Sequence, residues 1–316
     1  MAFNSRTQVS FRYLNDIPLY ETEKPFIYES NVSYDKKPVS NVHQDLYPVS
    51  LENIRGREQD FSCDEQGFSF LRHSSSIDLT KNTQDSVAYI LENTKILEDM
   101  FQADRVICYD IRRRSSEQNR KEVTAIPENT FDKPRLPAPP VYAVHIGWCH
   151  IKTLADFKKS DHTRYGGFHR ARRHLTDEEI AEYIDSGKWR IRVVNTWRPI
   201  KTIDSSPLAL CDPHTVDEND LVETDLVSED YVGETYSLKY NPKHRFFWLK
   251  DQQPDELCVF VTFDSLNSRP GARITTCPHT SFDNIWADPA APPRQSIEVR
   301  SLVLNYLGTT SEACKR

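Results

Sequence analysis

A histidine near the end of the sequence is followed by an arginine and a serine that stand two residues apart. His279 lies in the segment CPHTSF, and Arg294-Gln295-Ser296 opens the last apolar run of the chain. A lone histidine is more often structural than a ligand, although imidazole suits many transition metals. An arginine can hold a carboxylate through two parallel hydrogen bonds, and residues two apart on a strand share a face. His279, Arg294 and Ser296 are therefore candidates for a metal and carboxylate site.

A second candidate ligand, His145, follows the short β-type run at 141–144. A carboxylate two residues further on would face the same side of the strand and could complete a set of two histidines and one carboxylate around a metal. Position 147 is a glycine, however, and Gly147 has no side-chain donor. The spacing alone leaves this set one ligand short.

Other metal sites have weaker support in the sequence. His145 with His150, or His169 with His174, could be imagined as zinc pairs, but neither has the i, i+4 spacing of a helical zinc site. The seven cysteines include no C-x-x-C pair, which disfavours a zinc knuckle or a disulfide framework. These patterns argue against a zinc hydrolase.

The composition favours a globular protein that acts on small molecules. Of the 316 residues, 38% are hydrophobic and 11% aromatic, so a sizeable core can be buried. The net charge is -7 and basic runs are short, which disfavours nucleic-acid partners. No apolar stretch approaches the roughly 18 residues of a membrane span, and residues 1–16 have no apolar signal region. We expect a cytoplasmic protein that binds neither nucleic acid nor membrane.

Apolar periodicity predicts one clear helix and a series of short strands. Helical spacing covers 85–102, and residues 167–186 predict one further helix or two short ones. Strand composition recurs at 106–114, 141–146, 189–197, 233–240, 244–249, 257–263 and 296–304. This order predicts a mainly β fold with added helices (α+β) and a double-stranded β-helix, or jelly-roll, core. Residues 1–80 predict an irregular arm packed on that core, and residues 81–316 a single jelly-roll domain.

Aromatic and basic side chains on the predicted strands are candidates for the wall of a substrate pocket. For most of them, a role in the hydrophobic core and a role in a pocket wall are about equally well supported. An aromatic wall would suit a flat organic substrate. Arg300 shares the strand parity of Arg294, which makes it a second anchor or a substrate contact. The full set of pocket candidates is Trp197, Arg198, Tyr236, Tyr240, His244 and Arg300.

Seven short blocks between about residue 50 and residue 304 carry a family resemblance. They are NIRGRE (53–58), NTWRPI (195–200), SPLALCD (206–212), GETY (233–236), YNPKHR (240–245), PHTSF (278–282) and APPRQSIEVR (291–300). Together they resemble a family of fungal hydroxylases and desaturases of secondary metabolism, related to aspergillic-acid hydroxylase, gibberellin desaturase and the 7α-cephem-methoxylase.

The resemblance implies an oxidoreductase that uses iron(II) and 2-oxoglutarate to hydroxylate, desaturate or oxidatively cyclise a small secondary metabolite, such as a mycotoxin. In jelly-roll iron oxygenases an Arg-x-Ser follows the distal histidine ligand, and its arginine takes the far carboxylate of 2-oxoglutarate. Carried onto this sequence, the iron ligands are His145, Asp161 and His279. Arg294 and Ser296 then bind the cosubstrate.

The assignment of Asp161 depends on an insertion. The family pattern Val-His-x-Asp would be restored by removing residues 147–160, which would join His145-Ile146 to Asp161. The segment is either a genuine loop across which Asp161 still reaches the metal or a retained intron in the gene. The alternative function is a catalytically inactive or accessory protein on an oxygenase fold, with the split motif binding no iron. A third reading is a non-redox enzyme that kept the pocket.

Overall fold

Two β-sheets and one long helix form the body of the computed structural model, which describes residues 6–28, 40–80, 86–117, 137–147, 175–228, 231–267 and 276–308. The strands are β1 (Arg6–Leu14), β2 (Phe26–Tyr28), β3 (Gln44–Asn53), β4 (Phe68–Arg72), β5 (Arg105–Ser115), β6 (His145–Ile146), β7 (Trp189–Pro199), β8 (Leu208–Cys211), β9 (Leu221–Ser228), β10 (Tyr231–Leu238), β11 (Phe246–Trp248), β12 (Glu256–Asp264), β13 (His279–Ser281) and β14 (Gln295–Tyr306). The helices are α1 (Ser86–Phe101) and α2 (Asp177–Glu179), and α2 continues as a π-helical turn over Ile180–Asp185. Short 3-10 turns occupy Pro18–Glu21, Glu58–Asp60, Pro213–Thr215 and Glu218–Asp220.

The strands are divided between a large and a small sheet that face each other. The order in the large sheet is β1-β3-β11-β8-β13-β6-β10-β9-β2, and in the small sheet it is β4-β12-β7-β14-β5. Pairing is antiparallel throughout the small sheet, whose ladders join β4 to β12, β12 to β7, β7 to β14 and β14 to β5. Two facing, mostly antiparallel sheets confirm the prediction of a mainly β jelly-roll core.

The space between the sheets is filled by apolar side chains from both of them. Leu210 and Phe247 of the large sheet pack with Phe68, Trp197 and Phe260 of the small sheet. Because side chains alternate along a strand, the neighbours of these residues in sequence point to the opposite faces. The inner faces of the two sheets are thereby defined.

The outer face of the small sheet is covered by α1. Leu97 of the helix packs with Val194 and Val303 of the sheet, which makes β7 a strand buried on both faces. The predicted helix over 85–102 is confirmed, but Val87 and Leu91 of its predicted apolar face are 56% and 64% exposed. Tertiary contacts have selected a slightly different face of the helix, one that includes the buried Asn93.

The large sheet curls around a second core on its other face. Phe11 of β1 packs there with Val49, Ile146, Tyr236 and Phe282. Isolated bridges join β1 to segments that adjoin β6 and β10, pairing position 12 with 143 and position 14 with 239. This curling leaves β6 and β13 between the two cores, with one face toward each.

The N-terminal segment supplies long strands to this architecture. Strands β1 and β3 pair over nine residues each, from Arg6 opposite Glu52 to Leu14 opposite Gln44, and β4 forms one edge of the small sheet. The part of 1–80 that the structure describes is therefore more regular than the irregular arm that we expected, and the boundary at residue 80 stays a prediction. Within the described ranges, no helix is both long and apolar enough to cross a bilayer.

Candidate active site

Two histidines face each other on adjacent strands of the large sheet. His145 of β6 is paired directly with His279 of β13, and their ring centroids are 4.4 Å apart. The neighbour of His145, Ile146, belongs to the core on the other face, so alternation turns His145 toward the small sheet. His279 also contacts Phe260 of the small sheet, at 4.6 Å between ring centroids. Both imidazoles therefore lie between the sheets.

Each ring is oriented by a carbonyl two residues earlier in its own segment. Nδ1 of His145 lies 2.8 Å from the carbonyl oxygen of Ala143, and Nδ1 of His279 lies 3.1 Å from that of Cys277. A carbonyl oxygen can only accept, so each Nδ1 carries the proton and each Nε2 keeps a lone pair. Burial lowers the pKa of His145 to about 4 and that of His279 to about 3. Neutral imidazoles with Nε2 available and a carbonyl behind Nδ1 are the form in which histidine binds a metal.

A buried arginine lies at the start of β14. Arg294 is 3% exposed, and its Nη1 donates to the carbonyl oxygen of Ser206 at 2.9 Å and to Oγ of Ser281 at 2.6 Å. Its Cζ lies 5.4 Å from the ring centroid of Trp197, a cation–π distance. Burial lowers the pKa of Arg294 to about 9, which still leaves the guanidinium charged at neutral pH.

Two polar atoms at this position have no hydrogen-bond partner among the described residues: Nε of Arg294 and Oγ of Ser296. Both residues are nearly inaccessible to solvent, with Ser296 at 0% exposure. A buried polar group without a partner is costly, so two neighbouring donors of this kind fit a ligand that accepts hydrogen bonds. A carboxylate is the ligand that matches a guanidinium together with a hydroxyl.

An ionic network lies beside the histidines on β5 and β14. Glu298 accepts from Nε of Arg114 at 3.0 Å and from Nε of Arg300 at 2.8 Å, and Nη1 of Arg300 also donates to Asp110 at 2.9 Å. Burial opposes ionisation of Glu298, but Arg300 and Arg114 outweigh it and hold the pKa of this carboxyl well below its usual value. Glu298 also acts electrostatically on His279. Arg300, predicted as a second anchor, is thus tied to two carboxylates.

Trp197 and Arg198, two predicted pocket residues that are neighbours in sequence, point to opposite faces of the small sheet. Trp197 lies in the core between the sheets, beside Arg294. Arg198 points the other way, where its Nε donates to the hydroxyl of Tyr89 in α1 at 3.0 Å and its Nη1 to the carbonyl oxygen of Pro254 at 2.8 Å. The structure therefore brings Trp197 to the site and places Arg198 behind the small sheet.

The three remaining pocket candidates lie on the opposite face of the large sheet from the histidines. Tyr236 is paired with Ile146 and packs in the same core, and the ring of Tyr240 stacks on Tyr47 at 4.6 Å. His244 lies in a buried chain between the hydroxyl of Tyr13 and the carboxylate of Asp220, at 3.1 Å from each. The structure does not bring these side chains to the histidine pair.

The third predicted ligand, Asp161, lies outside the described residues. Within the described ranges, no three His, Cys, Asp or Glu side chains come close enough to share a metal ion. Gly147 lies just past the end of β6, two residues after His145, and a Cβ built on it would lie 4.0 Å from Cε1 of His279. The position at which the spacing calls for a carboxylate is therefore next to His279.

Sequence reasoning missed Ser281, Ser206 and Glu298 as parts of this site. Ser281 and Glu298 carried a usable signal, because Ser281 follows His279 by two residues and Glu298 lies midway between Ser296 and Arg300. Residues at that spacing share a face of a strand. Ser206 contributes a backbone carbonyl, which leaves no signal in the sequence.

Comparisons with known proteins identify the family and the relatives of this chain. The sequence profile of a family described as an oxidoreductase/YMDC permease-like domain matches residues 11–304. The hydroxylase/desaturase efuI of Hormonema carpetanum is 26% identical over 269 residues, which cover 81% of this chain and 83% of that protein. The alpha-ketoglutarate-dependent dioxygenase tstK of Talaromyces stipitatus is 24% identical over 273 residues, covering 84% and 86% respectively. The resemblance to fungal hydroxylases and desaturases is thereby confirmed.

A solved structure shares the fold. The iron and alpha-ketoglutarate-dependent endoperoxidase NvfI superposes with a TM-score of 0.74 at 16% sequence identity, covering 96% of this chain and 100% of that one. At this identity the likeness establishes the jelly-roll fold alone.

Proposed function

Since the chain belongs to the oxidoreductase/YMDC permease-like family, we propose that it is an iron(II)- and 2-oxoglutarate-dependent oxygenase that hydroxylates, desaturates or cyclises a small secondary metabolite. The named relatives support this proposal, because they are a hydroxylase/desaturase and an alpha-ketoglutarate-dependent dioxygenase from fungi. The expectation of a cytoplasmic protein stays a prediction.

One observation carries the proposal. Two neutral imidazoles, His145 and His279, converge between the sheets with Nε2 available, and the unpartnered donors of Arg294 and Ser296 lie on the facing sheet. The first pair fits a divalent metal, and the second fits the far carboxylate of a dicarboxylic keto acid. Ser281 joins the two parts, because it follows His279 on β13 and accepts a hydrogen bond from Arg294.

The donor set also fits iron(II) in particular. Imidazole nitrogens with one carboxylate and open positions are typical of non-haem iron oxygenases, and we propose Asp161 as the carboxylate. Iron and 2-oxoglutarate, when bound, would supply an oxidant for the substrate from dioxygen, with succinate and carbon dioxide as the products of the keto acid. The protein would hold the two imidazoles in one tautomer, anchor the cosubstrate at Arg294 and enclose both between the two sheets.

Trp197 and the network around Glu298 complete the wall of the proposed pocket. Trp197 lies over Arg294, and Arg114 and Arg300 keep Glu298 ionised within electrostatic range of both histidines. An ionised carboxylate beside the pair favours a bound cation without itself being a ligand. This wall, which would contact the substrate, combines an aromatic ring with guanidinium groups.

The test is succinate formation from 2-oxoglutarate in the presence of iron(II) and dioxygen, with no added substrate. We expect slow uncoupled turnover by the full chain and none by His279→Ala. The same assay on a chain lacking residues 147–160 would show whether that segment inhibits the reaction. If neither the full nor the shortened chain forms succinate and neither binds iron, the oxygenase proposal is wrong and the non-catalytic alternative replaces it.

A further inference from the structure

Both hydrogens on one terminal nitrogen of Arg294 are already used inside the protein. Nη1 donates to the backbone carbonyl oxygen of Ser206 at 2.9 Å and to Oγ of Ser281 at 2.6 Å. A guanidinium is planar and its N–H groups have fixed directions, so two bonds at Nη1 fix the plane of the group. They leave the edge that carries Nε, which has no partner among the described residues. The partners of Nη1 therefore decide which edge a carboxylate meets.

The backbone of Ser206 adopts an uncommon conformation. Its φ is 51°, in the left-handed region that few residues other than glycine adopt. The next residue is Pro207, and the residue before a proline favours an extended backbone. Two local preferences thus oppose the observed turn. A conformation of this kind persists only where the surrounding structure fixes it, and Ser206 is 6% exposed.

One contact that fixes the turn comes from Tyr142, in the segment before β6. The hydroxyl of Tyr142 lies 2.7 Å from Oγ of Ser206. The carbonyl oxygen of the preceding residue, Val141, accepts from the backbone N–H of Ser281 at 2.8 Å. The contacts close a ring that runs from Arg294 through Ser206, Tyr142 and Ser281 back to Arg294. This ring fixes the carbonyl of Ser206 relative to the guanidinium.

We propose that Tyr142 and Ser206 are positioning residues, which orient Arg294 so that its Nε edge meets the far carboxylate of a dicarboxylic keto acid. The inference rests on the proposed function, in which Arg294 anchors 2-oxoglutarate, and adds what orients that anchor. Neither side chain needs to contact the cosubstrate. Their effect is confined to ligands that carry the far carboxylate, whereas a general loss of packing would weaken every ligand of the site.

The experiment measures the Kd values of two keto acids by calorimetry, with the iron(II)-loaded protein in the absence of dioxygen. 2-Oxoglutarate carries the far carboxylate, and 2-oxopentanoate has the same chain with a methyl group in its place. The ratio of the two Kd values therefore reports the contribution of the anchor. The variants are Tyr142→Phe, Ser206→Ala and the two combined, and Arg294→Lys is the reference for a lost anchor.

Tyr13→Phe is the matched control. It also removes a buried hydroxyl hydrogen bond, here to His244 at 3.1 Å, but on the opposite face of the large sheet from the histidine pair. We expect it to lower the melting temperature and to leave both Kd values unchanged. Thermal melts of all variants establish that each is folded at the temperature of the titration.

Tyr142→Phe and Ser206→Ala should each raise the Kd for 2-oxoglutarate by about 2- to 12-fold, the worth of one hydrogen bond. The Kd for 2-oxopentanoate should stay the same. Because both changes break the same bond, the combined variant should lose no more discrimination than the more affected single variant.

The inference is overturned if either single variant leaves the ratio of the two Kd values unchanged while Arg294→Lys lowers it, because the anchor would then not depend on this ring. It is also overturned if both keto acids are weakened equally, which is the result of a purely structural role. A full chain that binds neither keto acid, or binds both equally well, refutes the anchor at Arg294 and with it the proposed function.

Discussion

Replacing Arg294 with lysine should weaken 2-oxoglutarate binding while leaving metal binding intact. Lysine keeps the positive charge and most of the length, but it loses the planar fork that meets a carboxylate with two donors. In the structure Nη1 of Arg294 already donates to Ser206 and Ser281. Its Nε, in contrast, has no hydrogen-bond partner among the described residues. The substitution therefore removes the donor that the cosubstrate would use.

The expected magnitude follows from the burial of the pair. A hydrogen bond to a charged group contributes about 1.5–3 kcal/mol, and each 1.4 kcal/mol is about a factor of ten in affinity. Arg294→Lys should therefore raise the Kd for 2-oxoglutarate by about 10- to 150-fold. Arg294→Met, which leaves a buried carboxylate with no counter-charge, should raise the Kd by about 30- to 4,000-fold, because truncating one partner of such a pair costs about 2–5 kcal/mol.

The assay is calorimetric titration of 2-oxoglutarate into the protein loaded with cobalt(II) in place of iron(II), and we expect this form to bind the keto acid without turning it over. Arg198→Lys is the matched control: Arg198 is equally buried at 1% exposure, but its donors are directed at Tyr89, His73 and Pro254 behind the small sheet. The Arg198→Lys variant should have a lower melting temperature and an unchanged Kd for 2-oxoglutarate. The reasoning is refuted if both variants shift the Kd equally, or if Arg294→Lys binds 2-oxoglutarate as tightly as the original chain.

Two further substitutions test neighbouring parts of the site. Ser296→Ala should raise the Kd for 2-oxoglutarate by about tenfold without lowering the melting temperature, since its buried Oγ has no partner among the described residues; an unchanged Kd in the same calorimetric assay would remove the serine from the site. Glu298→Gln should lower the free energy of unfolding by about 3–5 kcal/mol, measured by urea denaturation, because it leaves Arg114 and Arg300 without their shared carboxylate. Asp99→Asn, which breaks an exposed pair with Lys95, is the control, and an equally small effect of both changes would contradict the role of burial.

Strand parity made much of the site accessible from the sequence. The alternation of Arg294, Ser296 and Arg300 along the last strand places all three on one face, and the structure shows that face with Glu298 among them. The same rule fails to say which face is the inner one. Trp197 and Arg198 were equally good pocket candidates for that reason, and only the packing of α1 behind the small sheet separates them.

Features that arise from strand pairing could not be read from spacing. His145 and His279 are 134 positions apart in the printed sequence, and they meet because β6 and β13 are neighbours in the large sheet. In β1 the alternation of Val9, Phe11 and Tyr13 is that of a strand with one buried face, but the many Tyr, Pro, Asn and Ser residues of 1–80, several of them typical of turns, conceal it. In α1, the buried Asn93 bonds to Thr196 of β7, a tertiary contact that an apolar pattern cannot predict.

Burial of an arginine does not by itself identify a ligand site, and a comparison of Arg198 with Arg294 shows why. Arg198 has only neutral partners, yet Nε, Nη1 and Nη2 all have acceptors within hydrogen-bond distance. Its burial is explained by the structure around it. Arg294 is also buried, but its Nε has no acceptor in the part of the chain that the structure describes. The hydroxyl of Ser296, two residues further on, likewise has no hydrogen-bond partner there. Two unpartnered donors beside a buried charge are unfavourable in the protein alone, and a carboxylate satisfies both at once. The argument for 2-oxoglutarate therefore rests on this contrast with Arg198, which is also why Arg198→Lys is the control that can refute it.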